Sequence, residues 1–172
     1  MLKKLLIGVA LISTQRLLEL RLSRRNERRL RSRGAVERGR EHYPLMVGLH
    51  ALWLAFTLLE GSARKTRLRR LPLVSFLAVQ PLRYWAIHAL GEHWNTRILV
   101  VPGEKLVNKG PYKYLSHPNY LVVIVEILTF PLIFGAHLTA LMCSALNAVL
   151  LSARIKEEER ALKELAESPN DG

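Results

Sequence analysis

Five apolar segments, separated by basic or turn-forming stretches, constrain the fold of this chain most strongly. A helix needs about 20 apolar residues to cross the hydrocarbon core of a bilayer, and shorter or tilted cases are common. The pattern therefore predicts an all-α, polytopic integral membrane protein with about five transmembrane helices. The segments cover roughly residues 2–20, 43–60, 71–90, 119–134 and 136–153. The last two are separated only by "FPLIFGA", where Pro131 and Gly135 can break the helix, so we predict that they form a tight antiparallel helical hairpin.

Length and charge limit the possible classes of protein. The chain has 172 residues, is 49% hydrophobic and carries a formal net charge of +12. This length suits one domain, and we predict a single domain over 1–172, with a three-helix part at 1–90 and a second part at 91–172. Nucleic-acid binding is disfavoured because the arginines alternate with bilayer-length apolar segments. The basic start and apolar centre of the first segment imitate a signal peptide, but we interpret it as an uncleaved membrane helix.

Cysteine and histidine usage argues against a metal centre. The single cysteine, Cys143, lies in an apolar run, where we expect a small buried hydrophobic side chain. His88, His93 and His117 have a spacing that fits no zinc signature. We therefore predict no metal site.

The distribution of basic residues predicts the orientation. With the N-terminus outside, seventeen Lys and Arg residues lie on the cytoplasmic side and seven on the outer side. Positive charges concentrate on the cytoplasmic side of membrane proteins, so this arrangement is favoured. The cluster "RKTRLRR" (64–70) fits it least well. With five spans, the 91–118 loop and the 154–172 tail emerge on the same face in either orientation.

Several charged residues fall inside the apolar segments. Such groups usually face the bundle interior or snorkel to the interface. For Arg16 and Glu19, which lie near one end of their segment, we expect snorkelling. For Arg83 and Glu126, which lie deeper, we expect a functional or interhelical partner.

The stretch "GPYKYLSHPNYL" (110–121) stands directly before the fourth segment. Pro118 suits the first turn of a helix, so the helix should begin there with Ser116 or His117 as its cap. The N-terminus of a helix presents free N–H groups that favour an anionic ligand group. Three tyrosines of this stretch offer either flat surfaces for a ligand or an aromatic belt at the membrane interface: Tyr112, Tyr114 and Tyr120.

The stretch "ARIKEEER" (153–160) continues the fifth segment into water. Arg154 and Glu158 are four positions apart on one helix face, which is also the spacing of a solvated ion pair. Because Arg154 directly follows the apolar run, its guanidinium could instead hold an oxyanion at membrane depth.

These residues resemble a known family, the isoprenylcysteine carboxyl methyltransferases and their prokaryotic relatives. The family's members are integral membrane enzymes that use S-adenosylmethionine. The family pattern is a Leu-Val, a Gly-x-Tyr, an Arg-His-Pro-x-Tyr that opens a helical hairpin, and an Arg followed by paired glutamates. In this chain it reads "KLVNKGPYKYLSHPNY" and "ARIKEEER", and the resemblance covers about the C-terminal 80 residues.

The resemblance implies which residues bind the cofactor and the acceptor. Residues 91–172 would form the cofactor-binding part, and Arg154 would be the catalytic residue, placed toward the methyl acceptor. The cofactor-binding residues would be Glu104, Lys105, Leu106, Val107, Tyr112, His117, Pro118, Asn119, Tyr120 and Glu158.

One position departs from the family pattern. Ser116 stands where the family has an arginine. The charge contact that this arginine makes must therefore be absent here, or Lys109 or Lys113 must make it instead. This weakens the expectation of a prenylcysteine carboxylate as acceptor. Other stretches, such as "GEHWNTRI", resemble a bacterial subgroup that methylates alkylpyrones or phenolic lipids. The implied partners are a lipophilic substrate, membrane lipids and a polyketide synthase that supplies the substrate. The implied location is the bacterial plasma membrane, with the cofactor site facing the cytoplasm.

Two other functions remain open on the sequence alone. A non-catalytic scaffold could bind anionic lipids through the basic loops 21–42 and 64–70. A membrane enzyme that uses a different nucleotide has no Gly-rich phosphate loop in this sequence to support it.

Overall fold

The computed structural model describes residues 2–64 and 67–166, and they are mostly α-helical. The predicted helical fold is thus confirmed, with one helix at each of the five apolar segments. The helices are α1 (Leu2–Ser32), α2 (His42–Ala63), α3 (Arg70–Leu90), α4 (Pro118–Ile133) and α5 (His137–Ala166).

Two helices are long and apolar enough to cross a membrane within the described residues. These are α2 and the His137–Glu164 part of α5, whereas α4 is apolar but only 16 residues long. The five predicted segments therefore correspond to five helices, but five spans do not follow from helix length and composition.

Helix α1 is longer than the predicted segment and continues to Ser32. The added stretch contains six Arg and two Leu residues, which have high helix propensity. Arg29 and Arg31 in the last turn also interact favourably with the helix dipole. The helix stops before Gly34, whose φ of +84° reverses the chain.

A short antiparallel ribbon joins the segment after α1 to the segment after α3, and it was not predicted because three-residue strands show too little alternation. Strand β1 (Val36–Arg38) pairs with β2 (Ile98–Val100). The buried side chains of Ile98 and Val100 pack against Ala161 of α5. The ribbon therefore holds the 101–109 loop beside the end of α5.

The apolar core lies between the helices and centres on Phe130 of α4. The centroid of its ring lies 5.3 Å from the ring centroid of Trp53 in α2 and 5.6 Å from the ring centroid of Phe76 in α3. The indole N–H of Trp53 donates to the carbonyl of Ile127 at 3.0 Å. Cys143 belongs to the same core and is 3% exposed, as predicted.

The turn between α4 and α5 forms the predicted tight hairpin. The carbonyl of Pro131 accepts hydrogen bonds from the backbone N–H groups of Phe134 and Ala136. Gly135 has a φ of +75°, which favours glycine. The two helices consequently pack side by side and bring their other ends together.

A buried ionic network joins α1, α3 and α4. Arg83 is 1% exposed and binds Glu126 and Glu19, the latter at 3.2 Å. Arg16 binds the same two carboxylates, at 2.7 Å to Glu126 and 2.6 Å to Glu19. The prediction of an interhelical partner for Arg83 and Glu126 is therefore confirmed.

The expectation that Arg16 and Glu19 snorkel is wrong. Both side chains turn inward, because two carboxylates and two guanidiniums compensate one another there and an isolated charge would not. Gln80 adds a hydrogen bond of 2.8 Å to Glu126.

Candidate active site

The candidate site begins at the N-terminus of α4. The helix starts at Pro118, with His117 as its cap residue at φ −132° and ψ 61°, as predicted from the geometry of an X-Pro pair. Pro118 is fully buried, so its ring anchors the helix start in the protein interior. The backbone N–H of Tyr120 donates to the carbonyl of His117 at 3.1 Å.

Tyr120 connects the two helices of the hairpin at their open end. Its hydroxyl donates to the carboxylate of Glu158 and accepts from Nε of Arg154 at 3.0 Å. Arg154 is 5% exposed and donates a further bond of 2.7 Å to the carbonyl of Thr96. The N-terminus of α4 and the "RIKEEER" stretch thus meet on one face, as the count of helices predicted.

His117 covers one side of this cluster. Its ring stacks on that of Tyr120 with centroids 5.2 Å apart and planes inclined by 18°. Its Nε2 lies 3.3 Å from a carboxylate oxygen of Glu159, and its Nδ1 lies 4.0 Å from one of Glu158. The stacked pair gives the cluster a rigid aromatic wall.

The turn at Gly110 places Tyr112 beside the same cluster. Gly110 has a φ of +59°, and an added Cβ would lie 2.8 Å from Cβ of Ala89 in α3. The short 3₁₀ helix Gly110–Lys113 therefore packs closely against α3. Burial, together with the nearby charge of Glu158, raises the pKa of the Tyr112 hydroxyl and keeps it neutral.

Glu104 lies at the opposite side, in the loop after β2. Nε2 of His93 lies 2.8 Å from one of its carboxylate oxygens, and Arg33, which directly follows α1, binds the other. These two partners, His93 foremost, lower the pKa of Glu104 below its ordinary value. The side chain is therefore a fixed carboxylate at neutral pH.

These elements enclose a cleft of about 860 Å³, a size typical of small-molecule sites. Nine of the ten predicted cofactor-binding residues line it. The exception is Pro118, which lies beneath the helix start, and Arg154 also lies behind the lining, next to Tyr120. The predicted residues in the lining are Glu104, Lys105, Leu106, Val107, Tyr112, His117, Asn119, Tyr120 and Glu158.

The lining also contains residues that the sequence analysis did not propose. His93, Trp94 and Asn95 come from the "GEHWN" stretch, and Glu159 and Leu162 extend the contribution of α5. Asn26 of α1 holds this stretch by donating hydrogen bonds to the carbonyls of Gly91 and Trp94, at 3.1 and 2.7 Å, contacts that the sequence did not indicate. Lys113 and Ser116 line it as well.

Two polar atoms of the lining are buried and lack a partner within the described residues: Nε1 of Trp94, which can only donate, and Oδ1 of Asn119, which can only accept. A ligand that pairs with both atoms would present an acceptor to Trp94 and a donor to Asn119. Among the described residues, no group of three or more His, Cys, Asp or Glu side chains could hold a metal ion.

Comparison with known proteins shows the family of this chain. The model of the isoprenylcysteine carboxyl methyltransferase family matches residues 71–164, more than half of the chain. The chain belongs to this family. Every residue that lines the cleft lies within the matched region.

Two bacterial relatives match nearly the whole chain. YpbQ, an uncharacterized protein of Bacillus subtilis, is 45% identical over 160 residues, which cover 91% of this chain and 95% of YpbQ. An uncharacterized protein of Haemophilus influenzae is 26% identical over 163 residues, which cover 92% of this chain and 95% of that protein.

Membership in the isoprenylcysteine carboxyl methyltransferase family supports an enzyme that transfers methyl groups. Together with the two long apolar helices, it also indicates a membrane protein. The cleft is the candidate active site of this methyltransferase because it joins charged and aromatic groups at the end of an apolar hairpin.

Proposed function

We propose that the protein is an S-adenosylmethionine-dependent O-methyltransferase that acts on a lipophilic acceptor. The observation that carries this proposal is the contact between Tyr120 and Glu158, which makes one cleft from the two ends of the α4–α5 hairpin. The acceptor classes we propose are an alkylpyrone or phenolic lipid and a prenylcysteine-like carboxylate, and a polyketide synthase is the proposed supplier of the first.

The cleft suits an adenosine-containing cofactor in size and chemistry. The unpaired acceptor of Asn119 and the unpaired donor of Trp94 match a base that carries both an amino group and ring nitrogens. The carboxylates of Glu104 and Glu158 can accept from ribose hydroxyls or from an ammonium group. Tyr112 and the stacked pair of His117 and Tyr120 supply flat surfaces for an aromatic ring.

When bound, S-adenosylmethionine would supply a methyl group from its sulfonium sulfur, and that sulfur would become a neutral thioether as the acceptor oxygen bonds to the methyl carbon. The protein then needs to align the reactants and exclude water, which together lower the barrier by about 7–11 kcal/mol in favourable cases. The rigid contacts of Tyr120 with Arg154 and Glu158 provide such alignment.

The charge of Arg154 lies directly behind the Tyr120 hydroxyl. In this position it stabilises negative charge on an acceptor oxygen in the cleft, whether carboxylate, enolate or phenolate. A carboxylate or an acidic enol needs no further base, whereas a phenol needs its pKa lowered. A direct contact between Arg154 and the acceptor remains a prediction.

Calorimetric titration with S-adenosylhomocysteine tests the proposal in detergent-purified protein. We expect saturable heat for the wild type and at least tenfold weaker binding for Glu158→Ala and for His117→Ala, because charge-assisted contacts contribute about 1.5–3 kcal/mol each. Glu157→Ala, one position from Glu158 and outside the cleft, is the matched control.

The opposite result would leave another function. Absence of heat for the wild type, or equal affinity in all four proteins, would favour a scaffold that binds anionic lipids through its basic loops.

A further inference from the structure

A second cavity lies between α4 and α5, closer to the apolar turn than the cleft. It has a volume of about 190 Å³, which is room for several methylene-sized groups, since a water molecule occupies about 30 Å³ in the liquid. Its lining is Ile124 of α4 and six residues of α5: Ser144, Asn147, Ala148, Leu151, Ser152 and Ile155. We call this cavity the hairpin groove.

Two polar atoms in the hairpin groove have no partner within the described part of the chain. Asn147 is 2% exposed, yet its Oδ1 is left without a donor. The Oγ of Ser144 is likewise buried and unpaired. In an apolar environment an unsatisfied polar group costs several kcal/mol, so a partner supplied from outside the chain explains both atoms.

Apolar side chains surround the mouth of the groove. Ile124 in its wall is 46% exposed, and its neighbours on α4, Leu121 and Leu128, are each 43% exposed. On α5, Leu141, three positions before Ser144, is 67% exposed. The groove therefore opens onto a surface that suits lipid chains, and a ligand that reaches it through the bilayer must itself be largely apolar.

The chemistry of the two unpaired atoms selects the ligand's polar group. Oδ1 of Asn147 can only accept a hydrogen bond, whereas Oγ of Ser144 can accept or donate. A hydroxyl group satisfies both, because it donates one bond and accepts another. An ether or an ester oxygen would leave Asn147 unpaired.

We propose that the hairpin groove binds one alkyl chain of a membrane lipid that carries a hydroxyl group, and that this hydroxyl pairs with Asn147 and Ser144. The site is distinct from the cleft, although Ile155 in the groove and Glu158 in the cleft are only three positions apart on α5. It does not depend on the methyl transfer proposed above.

Photolabelling in phosphatidylcholine nanodiscs tests this site. The two probes are 1-dodecanol with a diazirine in the chain and its methyl ether, which lacks the donor. We expect the alcohol to label peptides containing Ile124, Leu151 and Ile155 about fivefold more than the ether, since one neutral hydrogen bond contributes about 1 kcal/mol.

Two variants separate the hydrogen bond from mere insertion of the chain. Asn147→Leu removes the unpaired acceptor at similar volume. Ser144→Ala removes the second unpaired atom, Oγ, and serves as the test if Asn147→Leu folds poorly. Each should reduce the preference for the alcohol, whereas Ala145→Leu, on the exposed side of α5, should keep it.

Equal labelling by the two probes in the wild type would overturn the proposal and leave a buried water as the partner. A preference that persists in both variants would also overturn it. Protection from both probes in a particle that holds two chains would assign the groove to a second copy instead.

Discussion

The hydroxyl of Tyr120 accepts a hydrogen bond from Nε of Arg154 at 3.0 Å, although the two residues are 34 positions apart in the sequence. The same hydroxyl donates to Glu158, so one phenol orders a guanidinium and a carboxylate at the edge of the cleft. A group that orders two charges should matter more for ligand binding than its own contact area indicates.

Tyr120→Phe should therefore weaken the binding of S-adenosylhomocysteine by about tenfold or more, because the hydrogen bonds of a charged group contribute about 1.5–3 kcal/mol. Calorimetric titration measures the change. Tyr114→Phe is the matched control, since Tyr114 is 78% exposed, and it should bind like the wild type. Equal affinity in the two variants would show that Tyr120 does not order the site.

Glu37 should make the fold sensitive to acid. Its side chain is 3% exposed and binds Arg31 and Arg97, so it ties α1 to the ribbon. Burial favours its neutral form, but the hydrogen bonds from the two arginines outweigh burial and lower its pKa below 4.5. We expect Glu37→Gln to destabilise the protein at pH 7 by about 1–3 kcal/mol, the cost of leaving buried charged groups unsatisfied.

The pH dependence of this effect follows from the direction of the shift. A lowered pKa in the folded state gives stability that is present above pH 4.5 and is lost as the pH falls through the folded-state pKa. The difference in thermal midpoint between wild type and Glu37→Gln should thus be constant near neutrality and shrink below pH 4.5. Glu41→Gln, at a side chain that is 74% exposed, should show almost no difference at any pH. A gap that stays constant in acid would contradict this explanation.

The residues that the sequence placed correctly are those with local signals. Pro118 and Gly135 mark the ends of α4 because proline lacks an N–H and glycine tolerates a positive φ. The meeting of Tyr120 with Glu158 followed from the number of apolar segments between them. Neither inference needed knowledge of the packing.

The features that the sequence did not reveal depend on contacts between distant segments. Strands of three residues carry no usable periodicity, so the ribbon gave no signal. Nothing in the sequence indicated the hydrogen bonds by which Asn26 of α1 holds the "GEHWN" stretch. Arg16 and Glu19 could either snorkel or pair, and the choice depends on how α1 is rotated against α3 and α4. Long-range packing decides both cases.

The buried ionic network provides a test of that packing. Glu126→Leu removes the carboxylate that binds both Arg16 and Arg83, and it leaves an excess positive charge inside the bundle. We expect a loss of about 3–5 kcal/mol, typical of breaking a buried pair on one side. The thermal midpoint in detergent measures the loss.

A double variant distinguishes lost charge balance from lost volume. Arg83→Met combined with Glu126→Leu leaves Arg16 paired with Glu19 at 2.6 Å, so the remaining charges balance. This variant should be more stable than Glu126→Leu alone, because uncompensated charge is the larger cost. Additive losses in the double variant would mean that each side chain acts only through its own packing.

The turn at Gly110 should be less tolerant of a side chain than any turn that faces open space. Gly110→Ala meets a positive φ of +59° and a Cβ contact of 2.8 Å with Ala89, so both strain and overpacking oppose it. We expect a destabilisation of about 2–4 kcal/mol and weaker binding of S-adenosylhomocysteine, because Tyr112 moves with this turn. Gly34→Ala is the matched control. The φ of Gly34 is +84°, but an added Cβ would have no atom within 4 Å apart from its immediate chain neighbours, so only backbone strain of about 1 kcal/mol should appear. Equal shifts in thermal midpoint for the two variants would show that the close approach of the turn to α3 contributes nothing.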